Sequence, residues 1–186
     1  MQISSSELNV IHMTNFTRMA LTSQLPSIGN FNRVQGDAEW GIWCENCTFA
    51  DPFSSFGGEG SLERFRNNAK NLGGLVVNPI GKIRSFVVDD VKESADKQIL
   101  SKYLPSRVND YRDVAVVKVG WSFTSKLRLP WNPILSATGN TLHYINKENS
   151  KIFLYVETWK SKPVDVIARL FKPTRSEIGA DYDLPS

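Results

Sequence analysis

The chain has 186 residues, 41 % of them apolar and 11 % aromatic, with a formal net charge of +3. That length fits one domain, and five Trp and ten Phe exclude a chain disordered over most of its length. No run of consecutive Lys or Arg points to nucleic acid, and no stretch reaches the roughly 18 apolar residues of a membrane span, so a nucleic-acid binder and a membrane-spanning protein are both set aside.

The first thirty residues carry one acid, Glu7, and one base, Arg18, among many Ser, Thr and Asn. They lack the apolar segment of a secretory signal. Residues 1–32 read as an N-terminal extension, Ser-rich and acid-poor as part of an organelle transit sequence would be. A single domain is expected over 33–175, followed by a tail at 176–186.

Asp37 to Cys44 is a short helix candidate with Trp40 and Trp43 on one side. Thr48–Ala50 is a short strand, and Asp51-Pro52 starts a turn in which the Asp51 carboxylate accepts backbone amides. Ser61 is placed to cap a helix with Leu62, Phe65, Ala69 and Leu72 on one face, ended by Gly73-Gly74. Residues 82–91 and 97–104 read as strands flanking the polar hinge Glu93-Ser94-Ala95-Asp96. From 114 to 129, Ala115, Val117, Val119, Trp121 and Phe123 alternate with Val116, Lys118, Gly120, Ser122 and Thr124. That pattern is an antiparallel strand with one buried and one wet face, so Trp121 and Phe123 should meet Phe65 and Leu72, with Lys118, Ser122 and Lys126 in water.

Leu129-Pro130-Trp131-Asn132-Pro133 ends strand pairing, because proline cannot donate to a ladder. Strands near 136–146 and 151–160 follow, joined by a hairpin at Lys147–Ser150. A last helix begins at Pro163, with Val164, Ile167, Ala168 and Phe171 along one stripe, and Pro173 stops it. The order of elements gives an α+β fold: a bent antiparallel sheet of four or five strands wrapped around helices.

Cys44 and Cys47 imitate a thioredoxin-type redox pair. Such a pair needs a helix N-terminus after a buried strand, and here the order is inverted, so ordinary thiols are expected. No four-ligand metal set, phosphate loop or nucleophile elbow occurs, and no cofactor or metal is implied.

The residues Phe49-Ala50-Asp51-Pro52-Phe53, Arg64-Phe65-Arg66-Asn67-Asn68, Gly120-Trp121-Ser122-Phe123, Ala137-Thr138-Gly139-Asn140-Thr141 and Tyr155-Val156-Glu157-Thr158-Trp159 resemble the nuclear transport factor 2-like (SnoaL-like) superfamily. More narrowly, they are similar to an uncharacterised branch from plants, algae and cyanobacteria. The resemblance covers about residues 33–175. It implies a cone-shaped domain with a pocket and, in plants, a plastid location. Cys44 departs from that branch, where an acid is common, and so does Tyr155, where His is frequent.

Related folds transfer protons with a carboxyl group buried in an apolar pocket, which raises its pKa. The pocket candidates here are Glu157, His143, Tyr155, Trp159, Trp121 and Asp51, with Tyr144 as a further wall. Glu157 stands among aromatics, where an unpaired acid is costly, and an ion pair with Arg64 or Arg66 would be its structural alternative. Two functional classes follow. The first is a non-catalytic domain binding a small apolar ligand or a protein partner, an accessory of a plastid photosynthetic assembly that forms a homodimer or joins a larger complex. The second is a cofactor-free lyase, isomerase or hydrolase using Glu157 or His143.

Overall fold

The computed structural model describes residues 40–91, 94–104 and 113–171. The expected helix start at Asp37, the stop at Pro173 and both domain boundaries lie outside these residues.

A turn of 3-10 helix, Trp40–Ile42, leads into β1 (Trp43–Ala50) and the two-residue β2 (Ser55–Phe56). Helix α1 (Ser61–Leu75), β3 (Val76–Asp90) and α2 (Ser94–Tyr103) follow. Then come β4 (Val114–Leu127), β5 (Ile134–Asn146), β6 (Lys151–Trp159) and α3 (Pro163–Leu170). The strands form one sheet in the order β2-β1-β6-β5-β4-β3, curled into a half-barrel. All neighbours are antiparallel except β1 and β6, which run parallel. The expected α+β sheet with helices on it is present, mixed and six-stranded rather than purely antiparallel.

Several local expectations are corrected. Residues 43–44 are strand, not helix, because Trp43 pairs with Ile152 of β6 and is almost fully buried there. Ser61 does not cap α1. The N-cap is Gly60, with φ 72°, and the Ser61 hydroxyl instead donates to the Cys47 carbonyl at 2.7 Å. Gly73 and Gly74 lie inside the helix rather than ending it.

The expected strand at 97–104 is helical through Tyr103. Asp96, Ile99, Leu100, Tyr103 and Leu104 recur at helical spacing, and Leu100 and Leu104 are buried against Val114, Val116, Tyr144 and Leu154. Burial of each such leucine contributes about 2 kcal/mol.

That helix changes the reading of β4. The odd-numbered side chains Val117 and Val119 face the cluster under α1, and the even-numbered Val114 and Val116 face α2. Both faces are therefore covered. Ser122 is buried, and Lys118 reaches the buried Asp96 carboxylate at 3.2 Å instead of standing in water. Phe65 packs with Trp43, Phe49 and Tyr155, while Leu72 is 48 % exposed, so the two do not share a core. Leu129–Pro133 makes the expected turn: the Leu127 amide donates to the Pro133 carbonyl, and Asn132 has φ 45°.

Strand β6 contains a bulge. Tyr144 pairs with Leu154 but Ile145 pairs with Ile152, so Phe153 is the additional residue. The bulge reverses the alternation. Ile152 and Tyr155 both belong to the α1 face, and Phe153, Leu154 and Val156 to the α2 face. Downstream of Phe153 this aims Tyr155, Glu157 and Trp159 at the same side as α1.

Candidate functional site

The site is a polar and aromatic row on the α1 face of β4, β5 and β6. Its register is set by two cross-strand ladders. Thr141 stands opposite Glu157 and His143 opposite Tyr155, while Gly139 lies between Trp121 and Trp159.

Glu157 is the centre of the row. Its Oε2 accepts a short hydrogen bond from the Tyr155 hydroxyl and its Oε1 another from Trp159 Nε1. The three residues alternate along β6, which places their side chains side by side. The ion pair with Arg64 or Arg66 is not formed. Arg64 lies over the Phe56 ring, and Arg66 lies over Trp40 and pairs with Glu63. Two aromatic donors supply the partners that a half-buried carboxylate requires.

Tyr155 is held from several sides. Burial pushes its phenol well above the usual range, the neighbouring Glu157 charge and hydrogen bond add to that, and a hydrogen bond with Thr141 acts in the opposite sense. The phenol is a donor at any ordinary pH. Trp121 joins the row through Thr141, to whose Oγ1 it donates from Nε1 at 2.9 Å. Trp159 meets Phe53 edge-on, with ring centroids 5.2 Å apart.

His143 lies deeper, 4 % exposed, between Trp43 and Tyr155 at centroid distances of 5.9 and 5.3 Å. Burial lowers its pKa to about 3, only partly opposed by a hydrogen bond to the Val117 backbone. The imidazole is therefore neutral at physiological pH. Its Nδ1 and the Nε1 of Trp43 are both buried without a hydrogen-bond partner.

Asp51 closes the end of β1. Its Oδ1 accepts from the amides of Phe53 and Ser54 at 2.7 and 2.8 Å, the turn role expected for it. It touches the row only through its charge, which also raises the Tyr155 pKa. Tyr144 is not part of the row. It faces α2 and donates to Asp96.

Four of the six expected pocket residues, Glu157, Tyr155, Trp159 and Trp121, are thus linked by hydrogen bonds, three of them through Glu157 and Trp121 through Thr141. His143 adjoins them by ring contact, and Asp51 stands apart. The sequence reading missed Thr141, Gly139 and Trp43. The alternation Gly139, Thr141, His143 was the signal available, since those three positions share one strand face. Gly139 has a steric reason to be glycine: a Cβ there would lie 2.4 Å from the Thr158 carbonyl oxygen and 2.7 Å from the Trp121 ring.

The Cys44–Cys47 segment is the irregular stretch of β1, where pairing with β6 shifts register. Neither cysteine is in a disulfide, and burial pushes the Cys47 thiol far up. A thiol raised in this way is a poor nucleophile. Among the described residues no cluster of His, Cys, Asp or Glu could hold a metal ion, and no helix is long and apolar enough to cross a membrane.

The sequence matches no protein-family model and no curated protein at significant similarity. Solved structures with a similar fold are found. LinA aligns over 84 % of this chain and 91 % of its own, at 10 % identity and a TM-score of 0.55. A type 3 hexachlorocyclohexane dehydrochlorinase LinA from Novosphingobium barchaimii LL02 aligns over 83 % of this chain and 91 % of its own, at 9 % identity and a TM-score of 0.54. A nuclear transport factor 2-like superfamily protein from Salmonella enterica serovar Typhimurium aligns over 83 % and 95 %, at 14 % identity and a TM-score of 0.54. At such identities the likeness is one of architecture, a curled sheet closed by helices, and in that sense the chain has the nuclear transport factor 2-like fold.

Proposed function

We propose that this is a non-catalytic binding domain, which takes a small apolar ligand against the Trp121 and Trp159 indoles, with Glu157 and Thr141 as its polar contacts. One observation carries the reading: both Glu157 oxygens already accept hydrogen bonds, from Tyr155 and Trp159. A carboxylate fixed by two donors is held as an acceptor and a wall, and its remaining lone pairs are left for a donor on the ligand. The aromatic surfaces supply apolar area, and the few fixed polar groups supply orientation, which is the usual composition of a small-molecule site. By its resemblance to the plant and algal branch, the domain serves as an accessory component of a plastid assembly.

Native mass spectrometry of the full chain, compared with its denatured mass, tests this reading. A retained small molecule that is lost in Trp159→Ala is the expected result. A chain that carries no ligand and gains none from a panel of apolar compounds would sink it.

The second reading is a cofactor-free lyase, isomerase or hydrolase, and the orphaned Nδ1 of neutral His143 favours it. The fold accommodates such chemistry, since a dehydrochlorinase shares it. Turnover that disappears in both His143→Gln and Glu157→Gln would put this reading ahead.

A further inference from the structure

Helix α3 carries apolar side chains over a wider arc than the protein covers. At about 100° per residue, Pro163, Val166 and Leu170 share one sector, and Val164, Ile167, Ala168 and Phe171 share the next. Val166 is buried, whereas Val164, Ile167 and Phe171 are 75 %, 40 % and 73 % exposed. The apolar stripe read from the sequence thus faces outward. Trp131, 38 % exposed, belongs to the same surface, because its Nε1 donates to the Leu170 carbonyl at the end of α3.

The surroundings of this stripe are basic. Residues 160–171 contain Lys160, Lys162 and Arg169, all exposed, against the single acid Asp165, a net charge of +2. Exposed Arg128 lies in the same turn as Trp131. An exposed apolar stripe with Phe and Trp, flanked by Lys and Arg, has the composition of a helix that lies in a membrane interface. A second copy docked through this face would set the same positive charge against itself, with only Asp165 in the segment to offset it.

We infer that α3 and Trp131 form a docking surface for an anionic lipid membrane. Val164, Ile167, Phe171 and Trp131 enter the headgroup boundary, and the flanking Lys and Arg side chains meet lipid phosphates. The contact is peripheral and reversible, because both the inserted area and the charge are modest. It is independent of the ligand row on β4–β6.

Co-sedimentation of the full chain with vesicles tests it. The chain should pellet with vesicles of phosphatidylglycerol and phosphatidylcholine and stay in solution with phosphatidylcholine alone. Added salt should weaken the association, since exposed charges are screened. The double variant Val164→Ser, Phe171→Ser should bind about tenfold more weakly. Both positions are exposed, so its circular dichroism and melting temperature should match the parent. Failure of the parent to pellet with anionic vesicles overturns the inference, as does unchanged binding of the double variant. A concentration-dependent dimer abolished by the same variant, without vesicle binding, would assign the surface to a second copy instead.

Discussion

Tyr155 and Glu157, two positions apart on β6, are joined by a hydrogen bond from the phenol to Oε2 of the carboxylate, and the bulge at Phe153 is what turns both toward α1. The bond links an aromatic core residue to the one acid of the row. Tyr155 packs against Phe49, Phe65 and Trp43 on its ring side, so the phenol oxygen is held in place by ring packing.

Removing that hydroxyl should leave a half-buried carboxylate oxygen short of a partner. Tyr155→Phe is expected to lower stability by about 1.5–3 kcal/mol, the range for a hydrogen bond to a charged group. Urea unfolding of the two proteins measures it. Equal midpoints would mean that water replaces the phenol at no cost.

His143 makes the fold acid-sensitive. Its folded pKa of about 3 lies below the ordinary value of 6.5, so between those two pH values the unfolded chain binds a proton that the folded chain does not. Stability contributed by neutral His143 is complete above about pH 6.5 and falls as the pH drops, by up to roughly 1.4 kcal/mol per pH unit. Denaturation midpoints measured from pH 7 to pH 4 should decline, and His143→Gln should flatten that decline. A decline equally steep in the variant would assign acid sensitivity to other groups.

Gly139→Ala should be disproportionately damaging for a single methyl. The Cβ meets the backbone carbonyl of Thr158 at 2.4 Å, which cannot rotate away as a side chain could, and it also presses on the Trp121 ring. A loss of about 1–3 kcal/mol is expected. The tryptophan fluorescence should change with it, because the Trp121 ring that the methyl presses on is the one hydrogen-bonded to Thr141. Parent-like stability and emission would show that β5 and β6 separate easily.

On the opposite face, Asp96 of α2 binds Tyr144 by a hydrogen bond and Lys118 as an ion pair at 3.2 Å. Asp96→Asn removes one charge of a pair that is almost wholly buried on the acid side, and should cost about 3–5 kcal/mol. Lys118→Met in the same background should recover part of that loss, because the ammonium has lost its Asp96 partner. A double variant no more stable than Asp96→Asn would argue that Lys118 finds water instead.

Local features were legible in the sequence where the cause is local. Asp51 orders its own turn through amides two and three residues away, and the residues of Leu129–Pro133 cannot continue a strand whatever surrounds them. The same holds for the alternation of β4, which identified a long strand correctly. Helix α2 was also written there, since Ile99, Leu100, Tyr103 and Leu104 recur at helical spacing, although a short apolar run with a tyrosine reads equally as a strand.

Other features rest on contacts between distant parts of the chain. Covering of the second β4 face depends on α2 folding back across it, which puts Lys118 beside Asp96, twenty-two residues earlier in the chain. The aim of Glu157 depends on the one-residue bulge at Phe153, because strand periodicity is two and a single additional residue sends every later side chain to the other face. The α3 stripe was recognised as apolar from the sequence. Which sector of it is covered was decided by how the helix lies on β5, since amphipathic spacing records where apolar groups stand and not what meets them.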